Sequence, residues 1–183
     1  MINLCDNCPV RLFNTKHYNL KPIGNPYHNK AIVVPNVGYE GYKRGSIEFD
    51  EQVKLILNHI SFTGELHDVY IVPFIRCNTT ISCEINDNII ANCSKYFIAE
   101  VNKFKFTDIM FLGDSVRMFC NCNITEYLDT IMVSRKGIRL AVNYSPLIKF
   151  VDKDKFSVFK DKLNKWYNAV NNKYFDNYNI LKL

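Results

Sequence analysis

The 183-residue chain has little glycine and proline, with 7 and 6 residues respectively. Low-complexity and disordered chains are much richer in both, and this sequence shows neither an internal repeat nor a linker of that kind. Hydrophobic residues make up 48% of the chain and charged residues 22%. This composition indicates one folded domain over residues 1–183, which is long enough to bury a sizeable core.

The chain also lacks any run of about 20 apolar residues, the length that a helix needs to span a bilayer. Its first residues, MINLCDNCPV, have neither a charged n-region nor a long apolar core. We therefore expect no membrane partner and no secretion. The abundance of Asn, Lys, Ile and Tyr suggests AT-rich coding, so we expect the cytoplasm of a bacterial or virus-infected cell, or the nucleus.

Charge of one sign is not strongly dominant. Lys and Arg number 23 against 18 Asp and Glu, a net charge of +5. A mild positive excess fits a nucleic-acid partner, although many proteins without such a partner carry as much. Charge alone therefore does not define the partner.

Cysteine is plentiful, with 7 residues, and an odd number excludes a complete set of internal disulfides. In a reducing compartment, clustered cysteines more often mark metal or redox chemistry. Cys5 and Cys8 form a C-x₂-C pair, whose spacing lets both thiolates reach one metal centre. Cys77 follows a predicted strand, and Cys93 comes after a gap of fifteen residues on the next predicted helix. These four are the candidate metal ligands.

The other three cysteines are expected to be packed or idle thiols. Cys83 is the strongest competitor for a ligand position, because it lies in the same predicted loop as Cys77 and could replace it. Cys120 and Cys122 lie outside this predicted loop.

Apolar runs alternate with helical patterns along the chain. Asp50 is a predicted helix N-cap, a long helix is predicted from Asn86 or Asp87, and a C-terminal helix carries a stripe from Phe156 to Val170. The alternation predicts an α/β three-layer sandwich with a central, mainly parallel four-stranded sheet. Ligands bind beyond the carboxyl ends of the strands in such sheets. The predicted strands cover residues 31–34, 68–76, 109–112 and 139–142.

The order of the cysteines resembles that of family 4 uracil-DNA glycosylases, which bind a [4Fe–4S] cluster through four cysteines. Further segments agree in order, and the resemblance extends from Cys5 to about Phe150. These segments are Gly24-Asn25-Pro26, DVYIVPFIRC, IMFLGDSV, the pair Arg135 and Gly137, and NYSPLIKF. The resemblance implies a uracil-DNA glycosylase-like fold and a structural [4Fe–4S] cluster held by an N-terminal cluster-binding loop with Cys77 and Cys93. Zinc bound by the same four sulfurs is the alternative.

The resemblance also identifies the positions of the catalytic motifs, and this chain departs from all of them. The family has an acid in the loop after the first strand, where this chain has Asn36. In the family, an asparagine on the second strand recognises uracil. This chain has Pro73 at that position, and proline offers neither a side-chain amide nor a backbone N–H. A histidine donates to the base oxygen, where Ser145 stands here, a weaker donor to a developing anion. Asn36 and Ser145 are the candidate catalytic positions.

The resemblance implies that loops carrying five basic residues face DNA, although these residues could equally be ordinary solvated charges. We expect DNA as a partner and, with it, a replication or repair protein. Loss of the motifs predicts a catalytically degenerate protein that binds DNA or acts as an accessory or scaffold in replication or repair, with viral DNA replication as a natural setting. The alternatives are an active glycosylase for uracil or a related base, and a protein adaptor without DNA affinity. The five basic residues are Lys43, Arg44, Arg76, Arg135 and Lys136.

Overall fold

The computed structural model describes residues 5, 8–13, 19–60, 69–79, 84–168 and 179–182. The strands within them are β1 (Ile23–Gly24), β2 (Lys30–Asn36), β3 (Tyr70–Ile75), β4 (Asp108–Leu112), β5 (Thr130–Val133), β6 (Arg139–Asn143) and β7 (Asn179–Lys182). The helices are α1 (Pro9–Phe13), α2 (Tyr39–Arg44), α3 (Glu51–Leu57), α4 (Asp87–Phe104), α5 (Ser115–Cys120), α6 (Ile124–Tyr127) and α7 (Lys153–Asn168). Short 3₁₀ helices cover Pro26–His28, Ile47–Phe49 and Pro146–Phe150.

One mixed sheet joins these strands in the order β1-β3-β2-β4-β6-β5-β7. The α/β class is therefore confirmed, but the sheet is larger than the four strands predicted. The predicted strands became β3, β2, β4 and β6, which are adjacent and parallel. Antiparallel β1 and β5 flank them, and β7 pairs with β5 in parallel. The added strands have two to four residues each, too few for a periodic hydrophobic pattern.

The central strands are buried on both faces, which explains why they read as continuous apolar runs. Every residue of β3 and of β4 is buried. Along β2, Ala31 and Val33 join a core cluster with α4 and α5, whereas Ile32 and Val34 join a second cluster with α3 and α7. Helices therefore cover both faces of the sheet.

The predicted helix boundaries are reproduced by side-chain caps. Asn86 accepts a hydrogen bond from the backbone N–H of Ile89 at the start of α4, and Asp50 accepts one from Gln52 at the start of α3. Helix α7 buries Phe159, Leu163 and Trp166 of the predicted stripe, while Val170 lies outside the described residues. In the described part of the chain, no helix is both long and apolar enough to cross a membrane.

The parallel register brings four strand ends together at one edge of the sheet. This carboxyl edge lies beyond Asn36, Ile75, Leu112 and Asn143. The opposite, amino edge holds the turn between β5 and β6, because β6 begins there at Arg139. The two edges decide which candidate residues can act together.

Candidate functional site

The four cysteines predicted as ligands converge on one pocket beyond the carboxyl end of β3. Cys5 and Cys8 precede α1, Cys77 follows β3, and Cys93 lies on the buried face of α4. All four are buried, and all four line the same pocket. Parts of the chain that are far apart in sequence therefore present their thiols to a common space.

Backbone contacts hold the N-terminal segment against this pocket. The backbone N–H of Cys8 donates to the carbonyl oxygen of Cys5 at 3.1 Å, which makes the turn that presents the C-x₂-C pair. The N–H of Leu20 donates to the carbonyl oxygen of Arg76 at 2.8 Å, which joins the same part of the chain to the end of β3. The segment is thus attached to the strand that delivers Cys77.

Hydrogen-bond donors point at several of the sulfur atoms. The backbone N–H of Asn19 donates to Cys77 Sγ at 3.3 Å, and the backbone N–H of Arg76 donates to Cys93 Sγ. The hydroxyl of Tyr96 lies 3.4 Å from Cys5 Sγ, within hydrogen-bond reach. Such donors stabilise a thiolate and tune the sulfur atoms of an iron–sulfur site.

Burial works in the opposite direction on the same thiols. Desolvation raises the pKa of Cys77 to about 11, with the Asn19 N–H opposing it, and raises the pKa of Cys93 to about 12. Without a metal these thiols are therefore protonated at neutral pH, and a bound metal would have to displace their protons. Four convergent sulfurs with backbone donors fit a thiolate-bound metal group.

Among the described residues, no three or more His, Cys, Asp or Glu side chains are grouped closely enough to hold a metal ion. What the structure provides is a pocket lined by four thiols. The competing Cys83 lies outside the described residues, and Cys120 and Cys122 do not line this pocket.

Arg76 is part of the pocket wall, and this changes its predicted role. The residue is only 7% exposed, its guanidinium lies 2.6 Å from a Glu100 carboxylate oxygen, and it packs over the Tyr96 ring at 5.3 Å. The contact with Glu100 is an ion pair by distance but lacks hydrogen-bond geometry, and Arg76 Nε has no partner among the described residues. A guanidinium buried against Glu100 and the Tyr96 ring does not fit the predicted phosphate contact.

The candidate catalytic positions lie at the neighbouring carboxyl edge. Asn36 ends β2, and Ser145 follows β6. Gly113 lies between them as the first residue after β4, with φ +55°. A Cβ atom on Gly113 would lie 2.9 Å from Ser145 Cβ and 3.6 Å from Pro35 Cγ. The loops after β2, β4 and β6 therefore meet, as the parallel sheet predicts.

The side chain of Asn36 connects this edge to the cysteine pocket. Its Nδ2 donates to Thr79 Oγ1 at 2.9 Å, and Thr79 lies two residues beyond Cys77. The adjoining loop is anchored by Asp50, whose carboxylate accepts the Gly38 N–H while it caps α3. Desolvation raises the pKa of Asp50. Sequence reasoning found the cap but missed the contacts with Thr79 and Gly38, because both cross between loops.

Ser145 and Pro73 have structural roles at these positions. Ser145 Oγ accepts the Leu147 N–H at 3.3 Å and caps the 3₁₀ helix Pro146–Phe150. Pro73 lies in β3 and pairs with Val34 of β2. It lies beyond the residues of β3 that pair with β1. The missing N–H is tolerated because β1 pairs only with the first two residues of β3.

The remaining basic candidates are divided between the two edges of the sheet. Lys43 and Arg44 end α2 at the carboxyl edge, where Arg44 pairs with Glu40 at 3.5 Å. Arg135 and Lys136 lie in the turn at the amino edge, where Lys136 donates to the Asn102 side chain at 2.7 Å. One face of the protein therefore does not carry all the residues predicted to contact DNA.

Large apolar side chains are also exposed in the segments that follow β2 and β6 at the carboxyl edge. Tyr39 at the start of α2 is 54% exposed, and Leu147 and Phe150 of the 3₁₀ helix Pro146–Phe150 are 39% and 65% exposed. Aromatic and apolar groups beside basic ones are typical of surfaces that stack on nucleic-acid bases.

No protein-family model and no curated protein matches the chain. The case for kinship with family 4 glycosylases therefore depends on the motifs and their spacing.

Replacing Arg76 with Leu should lower the free energy of unfolding by about 3–5 kcal/mol, because it leaves Glu100 without its cation in a buried site. The matched control is Arg44→Leu, which breaks the exposed pair with Glu40 and should cost less than about 1 kcal/mol. Urea unfolding of both variants in the same metal state measures the difference. Equal losses would show that the buried pair has no special weight.

Proposed function

We propose that this protein binds a [4Fe–4S] cluster in a uracil-DNA glycosylase-like fold, has lost glycosylase chemistry, and serves DNA replication or repair by binding DNA or as an accessory or scaffold. The observation that carries this proposal is the convergence of Cys5, Cys8, Cys77 and Cys93 on one pocket. The spacing of these cysteines is also the most specific part of the resemblance to family 4 glycosylases.

The cluster would be held by these four thiolates and would supply a structural cross-link. It would tie the N-terminal segment to the end of β3 and to α4, which otherwise meet through few backbone contacts such as Leu20 to Arg76. Arg76 at the same pocket is neutralised mainly by Glu100, and its positive charge favours the Cys77 thiolate only slightly. Zinc bound by the same sulfurs is the chemical alternative.

The groups at the carboxyl edge support the loss of glycosylase activity. Cleavage of an N-glycosidic bond requires stabilisation of a departing base anion and a base-reading group in a pocket. Ser145 offers only a neutral hydroxyl, whose oxygen accepts the Leu147 N–H, and Pro73 carries no polar side chain. Removing a single donor to developing charge typically costs on the order of 10²–10³ in rate, so two such losses favour a non-enzymatic role.

Binding of DNA is supported by the exposed carboxyl edge. Lys43 and Arg44 provide charge there, and Leu147 with Phe150 provides apolar side chains that could enter a groove. The alternative function, an active glycosylase with altered specificity, is favoured by Asn36, which is partly exposed at the same edge as Gly113 and Ser145. Some branches of the superfamily use asparagine in this loop.

Anaerobically purified protein should contain about four iron and about four sulfide per chain and show a broad absorption band in the visible blue. Cys77→Ser and Cys93→Ser should each lose most of this iron, because each removes a ligand. Cys120→Ser is the matched control and should retain it. One zinc without sulfide would support the zinc alternative, and a chain with neither metal would contradict the proposal.

No abasic sites should form when the protein is incubated with oligonucleotides that contain uracil, hypoxanthine or hydroxymethyluracil. Alkaline cleavage and gel analysis measure the product. Turnover that disappears in Asn36→Ala, but persists in Asn58→Ala at the exposed end of α3, would establish the alternative function instead.

Affinity for a DNA duplex should fall with salt, and the two edges should differ in their contribution. Lys43→Ala with Arg44→Ala should weaken binding and reduce the slope of log K against log salt by about 2, because two phosphate contacts are lost. Arg135→Ala with Lys136→Ala, at the amino edge, should leave the slope unchanged. The reverse result would indicate that DNA binds at the amino edge. A binding curve that stays flat at low salt would favour a protein adaptor without DNA affinity.

A further inference from the structure

Two cysteines that take no part in the metal pocket lie side by side at the end of α5. Cys120 is the last residue of the helix, and Cys122 follows after one residue. The intervening Asn121 caps the helix in the left-handed conformation, with φ +53°, and its N–H donates to the Arg117 carbonyl oxygen at 2.9 Å. This conformation turns the chain back on itself, so that both side chains lie on the same side of the turn.

The side chain of Cys122 folds back onto Cys120. Its Sγ lies 3.2 Å from the Cys120 carbonyl oxygen, and the two thiols interact electrostatically. Cys120 Sγ lies 3.2 Å from the Val116 carbonyl oxygen, and the hydroxyl of Tyr127 contacts Cys122 Sγ. Both cysteines are free and only partly buried. A small reagent can therefore reach the pair.

We propose that Cys120 and Cys122 form a reversible covalent modification site, which closes to an intramolecular disulfide on reaction with a low-molecular-weight disulfide such as glutathione disulfide. The geometry carries this inference, because the Asn121 turn folds the Cys122 side chain back onto Cys120. The inference is independent of the cluster, since neither cysteine lines the metal pocket.

The reaction balances as two successive exchanges. The Cys122 thiolate attacks one sulfur of glutathione disulfide, which forms a mixed disulfide and releases one glutathione thiolate. The Cys120 thiolate then attacks the Cys122 sulfur, which forms the Cys120–Cys122 bond and releases the second. The protein loses two electrons and two protons, and one glutathione disulfide becomes two glutathione thiols.

Closure across a single residue makes a small ring, and a strained disulfide of this kind is readily reduced. The pair is therefore suited to exchange and not to permanent cross-linking. The same helix carries Phe119, which stacks on Phe111 at 5.0 Å between ring centres, and Ser115, which donates to the carbonyl oxygens of Val33 and Leu112. The oxidised pair would thus stiffen the end of a helix that is anchored on the central strands.

Trypsin provides a clean readout of this site. Cleavage after Arg117 and Arg135 releases residues 118–135, which contain Cys120 and Cys122 and no other cysteine. After treatment of the folded, full chain with glutathione disulfide and alkylation of the remaining thiols, this peptide should be about 2 Da lighter than its reduced form and carry no alkyl group. Dithiothreitol should restore two alkylatable thiols.

The role of the turn is tested by two variants at one position. Asn121→Gly keeps the left-handed conformation accessible and should close at a rate close to that of the parent chain. Asn121→Val disfavours that conformation and should close about tenfold more slowly. A peptide that keeps two free thiols, or that stops at a mixed glutathione adduct, would overturn the proposal. Equal rates for the Gly and Val variants would overturn the part assigned to the turn.

Discussion

The central feature of this protein is one pocket lined by four buried thiols from three separate parts of the chain. Cys5 and Cys8 come from the N-terminal segment, Cys77 from the end of β3, and Cys93 from the middle of α4. Burial disfavours their thiolate forms, whereas backbone N–H groups and the cation of Arg76 favour negative charge in the same pocket. A bound metal would stabilise the thiolates despite their burial, because the metal ion replaces the thiol protons and neutralises part of the negative charge.

The pocket is physically coupled to the edge where a glycosylase would act. The Asn36 side chain donates to Thr79, two residues beyond Cys77, and Asp50 holds the Gly38 N–H of the loop that follows Asn36. A metal that orders the loop after β3 would therefore also order the loop after β2. In an active enzyme this coupling would position catalytic groups, and in a degenerate one it would shape a binding surface.

Much of the core architecture could be predicted from the sequence, because central parallel strands are apolar on both faces and helices begin at side-chain caps. The runs that became β2, β3, β4 and β6 are of this kind, and Asn86 and Asp50 cap α4 and α3 as predicted. The flanking strands could not be predicted, because β1, β5 and β7 are too short to show a period. Their pairing is decided by the neighbouring strands that they meet.

The sequence by itself determined the α/β class and the segments that form the central strands, because composition and hydrophobic patterning are local properties. Only the tertiary structure decided which charges are exposed. Arg76 looks like any other basic residue in the sequence, yet it is buried against Glu100, and Arg135 lies at the opposite edge from Arg44. Burial and sidedness depend on contacts between distant segments, and these exist only once the sheet has formed.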